Sequence, residues 1–93
     1  MAIDVRRGRC GRVFVTLQGT FDGQAADRLH DVLATATPAP SVTVDFRAVG
    51  SVEPLAFALL AGELHVPGRR VAIIGLSLGH RRLLVDFSRQ VPN

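Results

Sequence analysis

The spacing of apolar residues changes several times along the chain, and each change marks a new element. Residues 13–17 read Val-Phe-Val-Thr-Leu, rich in β-branched and aromatic side chains, and the run halts at Gln18-Gly19. This predicts a strand. Residues 3–5 predict a short edge strand, paired to it through the arginine- and glycine-rich turn around Gly8 to Gly11. Asp22 and Gly23 suit a helix start, with Asp22 as the cap. Beyond them Ala25, Ala26, Leu29, Val32, Leu33 and Ala36 recur at helical spacing, until Thr37-Pro38-Ala39-Pro40 closes the helix.

Residues 41–46, Ser-Val-Thr-Val-Asp-Phe, predict a second strand, and Pro54 at a first helical position opens a long apolar helix over 55–65. Pro67-Gly68 ends that helix. Residues 71–74 are almost wholly apolar, the pattern of a strand covered on both faces. Gly75 to Gly79 turn into a last helix with Leu83, Leu84 and Phe87 on one side, and Pro92 terminates it. Strands alternating with helices across short connections imply parallel pairing through right-handed crossovers. The expected fold is α/β: a small mixed β-sheet with a short antiparallel N-terminal edge strand, three parallel strands and three helices. Residues 1–93 read as one domain. Sites in such sheets gather at the C-terminal ends of the strands, here after Leu17, Phe46 and Ile74.

Composition narrows the function. A hydrophobic fraction of 47% and a charged fraction of 20% lie in the ordinary globular range. No apolar run reaches the ~20 residues of a membrane-spanning helix, and the start lacks the layout of a secretion signal. These features imply a soluble, cytoplasmic chain with no membrane insertion. All eleven cations are arginine, which lifts the sequence pI to about 11.0, although against eight acids the formal charge is only +3. The five phenylalanines fall mostly inside apolar patterns rather than beside the arginines, which argues against nucleic acid as a partner. Cys10 is the lone thiol, excluding a disulfide framework.

Catalytic and metal chemistry find little support. Gly75-Leu76-Ser77-Leu78-Gly79 matches the G-x-S-x-G nucleophile elbow, with Ser77 as the attacking residue of a small serine hydrolase. That mechanism needs an acid and then a histidine further along. Only His80 and Asp86 follow, in the reverse order, on different faces of one short helix. Ser77 as a helix cap explains the same residues. His30, His65 and His80 share no metal-ligand spacing. The acids Asp22, Asp45, Glu53 and Asp86 lie on separate elements. The expectation is a non-enzymatic chain with no cofactor.

The order of short motifs resembles the STAS domain family, whose members include bacterial anti-sigma-factor antagonists. Val-Thr-Leu-Gln-Gly-Thr-Phe-Asp, ending at Asp22, resembles that family's first strand and its Gly-x-Leu-Asp opening. Val-Thr-Val-Asp-Phe-Arg-Ala-Val-Gly-Ser-Val-Glu, from Val42 to Glu53, resembles its second landmark, an apolar strand leading to Asp-Ser-Ser-Gly-Leu at a helix start. Gly-Arg-Arg-Val-Ala-Ile-Ile-Gly resembles the third strand, and Arg81-Arg82-Leu83-Leu84 the helix after it. The likeness runs over about residues 12–90. It implies a protein switched by phosphorylation of a serine at the start of the second helix. Carried onto this chain, that motif falls on Glu53-Pro54-Leu55-Ala56-Phe57, so the acceptor position is Pro54, which has no hydroxyl. Ser51 is the nearest one and stands as a displaced acceptor. Glu53 keeps the acid.

The second helix carries the functional expectation. Leu-Ala-Phe-Ala-Leu-Leu-Ala-Gly-Glu-Leu holds one charge in ten residues, whereas a helix on a small domain needs only one apolar stripe. Phe57, Leu60, Ala61 and Leu64 form a stripe, while Leu55, Ala56 and Leu59 spread around it. Exposed apolar helix surface marks an interaction site. Asp22, Ser51, Glu53, Pro54, Leu55, Ala56 and Leu59 are therefore the expected partner-binding residues. The partners implied are a protein like an anti-sigma-factor kinase, a signalling scaffold, the ATPase of a lipid-transport complex on which the chain docks as an accessory subunit, or a second copy in a homodimer.

Overall fold

The structure is a computed structural model that describes residues 1–35, 41–66 and 70–90, without the side chains of Cys10 and Gln90. Strand β1 (Ala2–Arg7) leads through a single 3-10 turn (Arg9–Gly11) into β2 (Arg12–Phe21). Then follow α1 (Gly23–Thr35), β3 (Ser41–Val52), α2 (Pro54–Leu64), β4 (Arg70–Ile74) and α3 (Leu78–Gln90). The strands form one sheet in the order β1-β2-β3-β4. β1 runs antiparallel to β2, with Val5 opposite Val15, and β2, β3 and β4 are parallel. The expected α/β architecture, with its edge hairpin, three parallel strands and three helices, is the one observed. The proline closures at 37–40, 67–68 and 92, and Ala36, lie outside the described residues.

Alternation along the strands explains the layering. Val13, Val15 and Leu17 of β2 and Val42, Val44 and Phe46 of β3 are buried, while Phe14 between them is exposed. The buried set packs with Ala25, Leu29 and Leu33 of α1, Phe57, Leu60 and Ala61 of α2, and Leu84 of α3 in a single cluster. α2 lies between α1 and α3 and contacts both. Among the described residues, the helices share one face of the sheet.

Two strands outrun their sequence signals. β2 does not stop at Gln18-Gly19. Gly19 takes a φ of 105°, and register shifts at Thr16/Gln18 and Gly19/Thr20 absorb the irregularity as bulges. Only a residue without Cβ adopts that backbone at little cost. β3 likewise passes Phe46 and stays paired with β2 as far as Phe21 opposite Val52. β4 corrects the third expectation. It is an edge strand, with Ala72 exposed and Val71, Ile73 and Ile74 only half-buried, so its apolar run is not covered on both faces. Shortness lets a strand be apolar without being interior.

Candidate functional site

The C-terminal rim of the sheet is built where β2 and β3 end together. Asp22 caps α1, its Oδ1 accepting the Ala25 N–H at 2.9 Å. The Glu53 N–H donates to the Phe21 carbonyl at 2.9 Å, tying the start of α2 to the end of β2. Three phenylalanines hold this junction from beneath. The rings of Phe21 and Phe46 meet edge-on at 5.0 Å between centroids, and Phe57 of α2 lies 6.0 Å and 6.2 Å from them. Edge-to-face contact of this kind is favoured by ring quadrupoles and fixes orientation as well as burying area.

The expected binding residues sort by exposure. Glu53 is the N-cap of α2 in extended conformation, makes no side-chain cap bond, and is exposed together with Pro54 at the first turn. Ser51 lies within the last residues of β3 rather than in a loop, opposite Thr20, and its exposed Oγ lies 3.1 Å from the Thr20 Oγ1. Leu55 is 72% exposed and Leu59 52%. Asp22 is half-buried at the same rim, engaged as a cap. Ala56 is the correction. Its side chain is fully buried in the core, because it lies on the flank of α2 that turns toward Leu60 and Phe57, and it offers nothing to a partner.

Beside this rim, β3 bends around a fork that the sequence pattern did not single out. Asp45 is 5% exposed and accepts the Arg47 backbone N–H at 2.8 Å. The Arg47 guanidinium closes on the same carboxylate through Nε (3.0 Å to Oδ2) and Nη2 (2.8 Å to Oδ2). Those side-chain hydrogen bonds first, and the backbone one second, hold the Asp45 carboxyl below its usual pKa against the opposing effect of burial. The fork sits at the β3 bulge, where one residue of β2 faces two of β3. Gly75, at the end of β4, has φ 81°, and a Cβ there would overlap Arg47 Cγ and come within 2.7 Å of the Arg47 backbone nitrogen. The Asp-x-Arg spacing was the available signal, and it reads equally well as a chance pair on a strand.

A small cleft of about 140 Å³ opens at this corner, lined by Arg47, Val52, Gly75, Ser77 and His80 among others. The Ser77 Oγ accepts the His80 backbone N–H at 3.2 Å and caps α3. The imidazole of His80 packs edge-on against Phe57, 5.8 Å between centroids, and Asp86 is exposed further along the helix. Capping and packing account for these side chains. Among the described residues, no group of three His, Cys, Asp or Glu could hold a metal ion, and no helix is long and apolar enough to cross a membrane. The His30 imidazole of α1 and the Glu63 carboxylate of α2 are hydrogen-bonded, which ties the two helices together.

This sheet order, with its hairpin edge and its single layer of helices beginning at one rim, is a STAS-like α/β fold. Several solved structures share it, among them two of very different length. The anti-sigma factor antagonist SpoIIAA, in its unphosphorylated form, superposes with a TM-score of 0.72 at 18% identity, over 88% of this chain and 80% of that one. Mglu superposes with a TM-score of 0.70 at 24% identity, over 81% of this chain, which there spans a fifth of the other protein's length. At these identities the likeness is one of fold. The sequence matches no protein-family model and no curated protein.

Proposed function

We propose that the chain is a non-enzymatic protein-interaction module that regulates a protein partner by binding it through α2, in the manner of an anti-sigma-factor antagonist, without phosphorylation at Pro54. One observation carries the reading: Leu55 and Leu59 stand exposed on a helix whose opposite side is core. Two partly exposed leucines on adjacent turns forgo between half and three quarters of the about 1.5–3 kcal/mol that burying a fully exposed leucine supplies. A docked partner supplies it. The likeness in fold to SpoIIAA supports the regulatory part of the reading, along with a cytoplasmic role in bacterial transcription control.

The partner-facing rim comprises Ser51, Glu53, Pro54, Leu55 and Leu59, with Asp22 positioning α1 beside it. Affinity capture with the wild-type chain and with Leu59→Glu tests this. A protein retained by the wild type and lost with Leu59→Glu is expected, both chains giving the same circular dichroism. The same retained proteins with both chains would overturn it. An anti-sigma-factor-like kinase among the captured proteins supports regulation. A transporter ATPase held in fixed stoichiometry supports the alternative of a constitutively docked subunit.

A further inference from the structure

Seven large apolar side chains are exposed among the described residues, and five of them lie on or just after two neighbouring helices: Leu55, Leu59 and Val66 with α2, Leu78 and Val85 on α3. At 100° per residue, Leu55 and Leu59 fall on one stripe pointing away from the buried Phe57, Leu60 and Ala61. Leu78, Arg82, Val85 and Arg89 likewise form one stripe, opposite Leu84 and Phe87. Both helices start at the C-terminal ends of parallel strands, and the His80–Phe57 contact joins their first turns. α2 and α3 therefore run side by side in the same direction, with their outer stripes in one shared surface.

The surface is not electrically neutral. A groove of about 320 Å³ along α3 is lined by Leu78, Arg81, Arg82, Val85, Asp86 and Arg89, three guanidiniums against one carboxylate. On the α2 side the stripe is uncharged. We infer that the outer faces of α2 and α3 together receive an amphipathic helix of a partner protein, its apolar stripe against Leu55, Leu59, Leu78 and Val85 and its acidic flank along Arg81, Arg82 and Arg89. The inference rests on α2 being the docking helix and extends it to a second helix and a partner chemistry.

Charge and shape select this occupant over two others. A second copy docked across this face by a two-fold axis would bring six guanidiniums together with two carboxylates. An anionic membrane would attract the arginines, but interfacial anchors use Trp and Tyr, and this chain has neither. Apolar stripes on two neighbouring helices, one of them edged by guanidiniums, match the apolar and acidic faces of one amphipathic helix, and arginine forks match carboxylates in pairs.

The chain's lack of tryptophan makes the test direct, since the fluorescence of a tryptophan-labelled peptide reports the peptide alone. The probes are a synthetic helix with a leucine stripe flanked by glutamates, the same helix flanked by lysines, and phosphatidylglycerol vesicles. The glutamate helix is expected to bind at least about tenfold more tightly than the lysine helix, a gap that narrows with salt. The Arg82→Glu/Arg89→Glu double variant is expected to reverse the preference, and Leu59→Glu to weaken both helices. Equal affinity for the two peptides, no measurable binding of the glutamate helix, binding to vesicles alone, or self-association that Arg82→Glu/Arg89→Glu strengthens would each overturn it. If the double variant leaves the preference unchanged while Leu59→Glu still loses the captured protein, the extension to α3 falls and docking through α2 stands.

Discussion

Asp45 and Gly75 show how single residues set the shape of the rim. The Asp45 carboxyl titrates below its unfolded value because Arg47 satisfies both of its oxygens. A group with a depressed folded pKa stabilises the native state above its unfolded pKa, near 4, and that contribution is lost as pH falls through the folded value. Asp45→Asn is therefore expected to be less stable than the wild type at neutral pH, with the gap narrowing as the pH falls through the lowered folded pKa of Asp45. Urea titrations at several pH values measure this. A gap that stays constant into acid would mean that the carboxylate charge is irrelevant. Gly75 and Gly79 make a second contrast within one short motif. Gly75→Ala meets both a positive φ and the Arg47 backbone, a cost of about 1–3 kcal/mol. Gly79 lies within α3 with open space around it, so Gly79→Ala gains up to about 1 kcal/mol of helix propensity. Thermal melts of the two variants should move in opposite directions, which a nucleophile elbow needing both glycines does not predict.

At the scale of elements, α2 was legible because its composition exceeded what one buried stripe can use. The wheel placed Phe57, Leu60 and Ala61 inward and Leu55 and Leu59 outward, and the structure agrees. It failed at Ala56, where a small side chain on the boundary gives no polarity contrast to read. Phe57→Ala should cost about 3–5 kcal/mol, since it empties the centre of the three-ring cluster, whereas Leu59→Ser should leave the denaturation midpoint nearly unchanged. The long extensions of β2 and β3 were not legible. Gly19, Gly50 and Ser51 are turn-formers in isolation, and pairing of residues 18–21 with residues 48–52, contributed by two distant segments, holds them extended. The outward stripe of α3 was written at three- and four-residue spacing in Leu78, Arg82, Val85 and Arg89. It went unnoticed because alternate arginines hide an apolar line from a reading by composition.

The whole molecule is a two-layer sandwich whose asymmetry came from facts no local pattern contains. Strand periodicity told which side chains share a face, but not that the three helices would share one side or that β4 would be marginal. The His30–Glu63 pair joins α1 to α2 across that layer, and replacing both partners should cost less than the sum of the single replacements in a double-mutant cycle.

The position of β4 has a consequence for how the protein keeps company with itself. Its outer margin offers five residues of open backbone, Arg-Val-Ala-Ile-Ile, with a lone guanidinium at the first of them. Charge on an unpaired margin is what stops one sheet from growing into the next. Arg70→Val would leave five consecutive uncharged residues of strong strand preference, and light scattering at raised concentration should then show fibre growth that the wild type resists. In a crowded cell, Arg70 is the difference between a molecule that ends and one that begins a thread.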